Sequence, residues 1–148
     1  MIALGADHGG FHLKEAAKEY LKEKGIEFTD FGIYEEKSVD YPDIAKTVCE
    51  AIQSGKCRYG ILFCGTGIGM SIAANKHKGI RAACCSDYFS AKYTRMHNDA
   101  NVLCLGGRVV GTGLAIELID AFLNSEFEAG RHAKRLEKIA EIENSIGG

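Results

Sequence analysis

The chain is 148 residues long, 46% hydrophobic and 26% charged, which suits one globular domain whose core needs no disulfide staples. Its formal net charge of -2 argues against a surface built to grip a nucleic-acid backbone, so any bound anion must meet a local cluster of cations. The 18 glycines exceed the usual share of about 7% and require places where the chain turns tightly or comes close to a ligand.

Ile2 to Ala6 is an apolar run of strand length. No basic leader accompanies it, and no apolar stretch long enough for a signal peptide or a membrane span, so a cytoplasmic protein is expected. From about Phe11 to Lys24 a helix places Leu13, Ala16, Ala17, Tyr20 and Leu21 on one face, leaves Lys14, Glu15, Lys18 and Lys22 outside, and stops at Gly25. Glu27 to Phe31 reads as a second strand. Pro42 opens a helix that carries Ile44, Ala45, Val48 and Ile52 inward as far as Gly55.

Tyr59 to Cys64 is the third strand, and Gly65, Gly67 and Gly69 then lead into a short helix. Ala82 to Cys85 is the fourth strand, and Ser86 or Asp87 caps a helix running toward Met96. Val102 to Leu105 is the fifth. Thr112 opens a helix carrying Leu114, Leu118, Ile119 and Phe122, and a last helix runs from about His132 to Glu143. Short apolar strands alternating with helices, without repeats or linkers, predict an α/β fold. The form expected is a Rossmann-like three-layer αβα sandwich with a five-stranded parallel sheet, one domain over residues 1–148.

In such sheets ligands sit at the carboxyl ends of the strands. There the sequence places Asp7 and His8 after the first strand, Cys64 to Gly69 after the third, and Gly106 to Arg108 after the fifth. The glycines let backbone amides approach an anion, and the helix that follows adds positive potential. Cys64 stands at the mouth of that loop, where nearby N–H groups favour a thiolate and hence a base; a buried structural cysteine is the competing reading. Asp7 is either a helix cap or a ligand for a sugar hydroxyl, with His8 toward phosphate or a ring oxygen.

His97 and Asn98 end a helix just before the fifth strand, and are expected close to the carboxyl-end loops, where imidazole and amide can exchange protons and hydrogen bonds with a polyol. Asp99 and Asn101 read as turn formers. Arg131 and Arg135 repel each other at a spacing of four on the last helix unless an anion lies between them, and Arg108 supplies a third cation. The six cysteines show no CxxC pair or regular spacing and read as reduced thiols, with Cys84, Cys85 and Cys104 as small buried hydrophobes.

Together GADHGG, CGTGIGMSIAANK, RMHNDANVLCLGGRVVG and GRHAKR resemble the ribose-5-phosphate isomerase B family, whose relatives include galactose-6-phosphate and allose-6-phosphate isomerases. The resemblance covers essentially the whole chain. It implies a metal-free, cofactor-free interconversion of ribose 5-phosphate and ribulose 5-phosphate, in a homodimer with sites at the subunit boundary and the last helix against the partner. By the resemblance Cys64 is the base, His97 opens the furanose ring, and Thr66 assists. Asp7, His8 and Asn98 contact the sugar and its phosphate end, the amides of Gly65, Thr66, Gly67, Ile68 and Gly69 hold the enediolate, and Arg108, Arg131 and Arg135 bind phosphate. The alternatives are a six-carbon phosphosugar isomerase and a non-catalytic phosphosugar or nucleotide module. A dinucleotide binder would carry its glycine fingerprint after the first strand, where ADHGG stands instead.

Overall fold

The computed structural model describes residues 1–146. Its elements are β1 (Ile2–Ala6), α1 (Phe11–Glu23), β2 (Phe28–Asp30), α2 (Tyr41–Gln53), β3 (Tyr59–Cys64), α3 (Ile68–Ala74), β4 (Ala82–Cys84), α4 (Tyr88–Asn98), β5 (Val102–Gly106), α5 (Thr112–Leu123) and α6 (Arg131–Ser145). The strands form one parallel sheet in the order β2-β1-β3-β5-β4. The α/β class and the five parallel strands agree with the sequence reading. Its ends moved slightly: the second and fourth strands are shorter, the fifth ends one residue later at Gly106, and the last helix is longer than 132–143.

The central strands β1, β3 and β5 are buried along their whole length, as continuous apolar runs in a two-sided sheet should be. Their side chains divide by alternation into two cores. Leu4, Ile61, Phe63, Leu103 and Leu105 pack with α1 and α5, whereas Ala3, Leu62, Cys64, Val102 and Cys104 pack with α2 and α3. The helix after β1 therefore covers one face and the helix after β3 the other. Between these neighbouring strands the connections part in opposite directions, which opens a crevice at their carboxyl ends.

Lys14 corrects the sequence reading. Expected outside, it is fully buried, and its ammonium meets Asp30 at 2.6 Å with Lys18 on the same carboxylate at 2.9 Å. Asp30 in turn accepts the Gly32 N–H at 2.9 Å, so the pair fastens α1 to the end of β2. A buried ammonium is tolerated only with such a partner. Cys84 is the second correction: it is exposed, because β4 is a three-residue edge strand and Cys84 is its last residue. Cys85 and Cys104 are buried as expected. Among the described residues no helix is long and apolar enough to cross a membrane.

Candidate active site

Three loops meet at the carboxyl ends of β1, β3 and β5, and glycines make the meeting possible. A Cβ on Gly10 would stand 2.3 Å from the Phe63 carbonyl carbon, one on Gly106 2.6 Å from Thr66 backbone, and one on Gly107 2.3 Å from the Gly9 oxygen. No side chain fits at such distances. Hydrogen bonds lock the same loops, from Asp7 N–H to Phe63, Gly107 N–H to Cys64 and Arg108 N–H to Gly65, at 3.1, 2.8 and 2.9 Å. Part of the glycine excess is thereby placed.

Cys64 ends β3 with 5% exposure, and its Sγ accepts the Gly67 N–H at 3.1 Å. Gly67 reaches that position with φ of 83°, in the left-handed region that glycine adopts without strain. Thr66 is exposed and its Oγ1 accepts the Ile68 N–H at 3.2 Å. Two amides are thus engaged by side chains of the loop itself, while among the described residues those of Gly65, Thr66 and Gly69 have no protein acceptor. Burial pushes the other thiols upward, Cys49 and Cys85 to about 12, with Cys57, Cys84 and Cys104 also raised. Those five are held protonated near neutrality.

Asp7 is buried, and its Oδ1 accepts the N–H groups of Gly9 and Gly10 at 2.9 and 3.2 Å. It shapes the turn rather than capping α1, whose N-cap is Gly10, and its second oxygen takes no donor among the described residues. His8 is exposed beside it, and Arg108 lies across Gly65, its guanidinium atoms 3.5 to 3.7 Å from where a Gly65 Cβ would be. These groups form one cluster around Cys64. Tyr41, which the sequence reading passed over, belongs to its wall: its ring would meet a Gly69 Cβ at 2.7 Å.

His97 and Asn98 are elsewhere, and this is the third correction. The last turn of α4 lies at the amino ends of the strands: Arg95 donates to the Tyr59 hydroxyl at 2.9 Å, and Arg81 to the Asp99 carbonyl at 2.8 Å. A helix between parallel strands runs back against them, so its C-terminus returns to the end where the next strand starts. β3 alone, six residues long, separates the two ends by about 17 Å. Asp99 and Asn101 do form the turn, Asp99 at φ 46° and Asn101 accepting the Arg81 N–H. Asp87, rather than Ser86, caps α4 by accepting the Ser90 N–H.

Along α4, Phe89 stacks on Tyr93 at 4.3 Å and Tyr93 meets the His97 ring tilted by 60° at 4.9 Å; at the second end His132 stacks on His97 at 4.2 Å. The ladder lines a groove of about 420 Å³ that reaches from Cys84 to Asn98, and so runs along α4 between the two clusters. Arg131 and Arg135 lie exposed on α6, with no ion-pair partner among the described residues. The sequence reading missed Glu128 and His132, although their spacing of four, beside a predicted phosphate site, was a signal.

A Rossmann-like sheet with a cysteine at the glycine-lined mouth of β3, and with exposed arginines at a distance, places the molecule among α/β proteins that handle small phosphorylated ligands. The chain belongs to the ribose/galactose isomerase family, whose model matches residues 2–139. It is 49% identical over 142 residues to ribose-5-phosphate isomerase B of Escherichia coli, covering 96% of this chain and 95% of that one. It is 48% identical to a D-erythrulose-4-phosphate isomerase of Pectobacterium atrosepticum, covering 97% and 95%. The structure of Clostridium thermocellum ribose-5-phosphate isomerase B superposes with a TM-score of 0.96 at 53% identity, covering 97% of each chain.

Proposed function

We propose that the protein interconverts ribose 5-phosphate and ribulose 5-phosphate, with Cys64 as the base. Cys64 takes the C2 proton of the opened aldose and returns it at C1, while the proton on O2 passes to O1, so the product differs from the substrate only in arrangement. The charge that develops on the enediolate falls to the free amides of Gly65, Thr66 and Gly69; one such donor contributes about 3 to 4 kcal/mol in comparable sites. The observation that carries this reading is the Cys64 sulfur, held 3.1 Å from the Gly67 N–H in the mouth of the glycine loop. Asp7 and His8 orient the sugar and its phosphate end, and Arg108 grips phosphate.

His97 and Thr66 open the furanose ring, Asn98 holds a hydroxyl, and Arg131 and Arg135 bind phosphate in this reading. His97, Asn98 and both arginines lie too far from Cys64 to serve it within one chain. A second copy of the chain supplies them, in a homodimer with two shared sites. Supporting the pairing, α6 is 15 residues long with only His132 buried, and Ile139, Ile142 and Ile146 are 51%, 63% and 75% exposed. Six cysteines free of disulfides support a reducing, cytoplasmic setting.

The test is turnover of ribose 5-phosphate, D-erythrulose 4-phosphate, allose 6-phosphate and galactose 6-phosphate in deuterated water. Preference for the five-carbon sugar, with deuterium entering at C1 of ribulose 5-phosphate, is the expected result. Preference for another chain length would overturn the substrate, and unaltered turnover and deuterium uptake in Cys64→Ala would overturn Cys64 as the base.

A further inference from the structure

His97 from α4, His132 from α6 and Glu128 from the turn before α6 converge, each offering one ligand atom, and those atoms lie within 4.8 Å of one another. Glu128 bridges the pair, one carboxylate oxygen 3.8 Å from His97 Nε2 and the other 3.9 Å from His132 Nε2. The turn that allows this has two successive positive φ values, 56° at both Ala129 and Gly130, and is tied to α4 by the Glu128 N–H on the Met96 carbonyl at 3.0 Å. It brings the Glu128 carboxylate back over the first turn of α6.

A second observation points to a ligand. The His132 side chain is 9% exposed, and its Nε2 is buried without any hydrogen-bond partner. A buried ring nitrogen without a partner costs free energy, and here it faces the bridging carboxylate at a distance too long for a hydrogen bond. Two imidazoles and one carboxylate are a donor set suited to zinc and its neighbours, with the fourth position left to water.

We infer that His97, Glu128 and His132 form a binding site for a divalent transition-metal ion of the zinc type, and that the ion inhibits the enzyme by occupying His97. Tetrahedral coordination at about 2.0 to 2.1 Å sets donors about 3.3 Å apart, so the three ligand atoms, which lie within 4.8 Å of one another, must close by up to about 1.5 Å. The rings, stacked at 13°, must tilt apart to aim both lone pairs at one point. Arg131 and Arg135 on the same helix oppose a dication, so the affinity is expected to fall below that of a closed structural zinc site. The inhibition, unlike the binding, rests on the ring-opening role given to His97 above.

Titration of the full chain with Co(II), followed by visible absorption, reads the site without reference to turnover. One Co(II) per chain with four-coordinate bands and no thiolate-to-cobalt charge transfer is expected, and both His132→Asn and Glu128→Gln should abolish it; Glu128 is surface-exposed, so its variant tests the site if His132→Asn folds poorly. No binding, binding unchanged in both variants, or a thiolate band would overturn the site. Zn(II) should then slow turnover about 100-fold, reversibly by chelation, and the two variants should be insensitive to it. Inhibition that persists in the variants would place the ion on Cys64 and overturn the inference. Co(II) bound as expected with turnover unchanged would overturn the inhibition and the role of His97 with it, while leaving the ion site standing.

Discussion

The carboxyl end of the sheet and the end where α4 and α6 meet carry the two halves of the proposed site, and they are built differently. Around Cys64 the structure is backbone: three glycine loops packed too closely for side chains, joined by hydrogen bonds of 2.8 to 3.1 Å. Around His97 it is side chain: a ladder of rings on a helix face and exposed arginines on α6. A backbone cradle holds its geometry in the isolated chain, which suits proton transfer and charge stabilisation. Exposed side chains gain fixed positions only when something packs on them, which suits a surface completed by a second copy.

The strongest way to break this contrast is to disable one end in each of two variants. Cys64→Ala should lower kcat about 1,000-fold, in the range of general-base catalysis, with unchanged folding by circular dichroism. His97→Ala should also lower kcat, and mixing the two inactive variants should restore about a quarter of wild-type activity, because half of the randomly paired dimers carry one intact site. A mixture as inactive as its parts would mean that each chain uses its own residues.

The next effect concerns the rigidity of the backbone end. Asp30→Asn leaves the Lys14 ammonium, fully buried, without its 2.6 Å partner, and should cost about 3 kcal/mol or more in urea unfolding. Burial alone would raise the Asp30 carboxyl, but hydrogen bonds from Lys14 and Lys18 and from the Gly32 N–H outweigh it and leave the carboxyl below its ordinary value. A carboxyl lowered on folding contributes stability above its unfolded value, near 3.8, and that stability is lost as pH falls through the folded value. Wild-type stability should therefore fall with acid more steeply than that of Asp30→Asn, and parallel curves would remove Asp30 from the account.

Those two ends also differed in how far they were legible in the sequence. Asp7, Cys64 and Gly106 follow apolar runs directly, and a strand end fixes where its next residue goes. His97 was misplaced because nearness to the fifth strand in sequence says nothing of which end of that strand it meets; the reversal of the helix decides that. Lys14 looked solvated because its partner, Asp30, lies in another element, and a helix face read alone shows no such contact. Cys84 looked like core because an apolar run does not reveal that its strand is an edge. Glu128 and His132 show their spacing of four in the sequence, but His97 joins them only when α6 folds back on α4.

The smallest effect tests the other half. Arg131 is exposed on the first turn of α6 with no ion-pair partner among the described residues, so Arg131→Ala should change stability by less than about 0.5 kcal/mol. If a phosphate lies between Arg131 and Arg135 in the dimer, the same change removes a charged hydrogen bond of about 2 kcal/mol, or roughly 30-fold in affinity for ribose 5-phosphate by isothermal titration. The thermal midpoint reads the first quantity and the titration the second, so the two roles separate cleanly. A large fall in both would make Arg131 a packing residue of the dimer. Unchanged affinity would leave phosphate to the backbone end, with Arg108 and His8 as its partners, and the loss would then appear on Arg108→Ala instead.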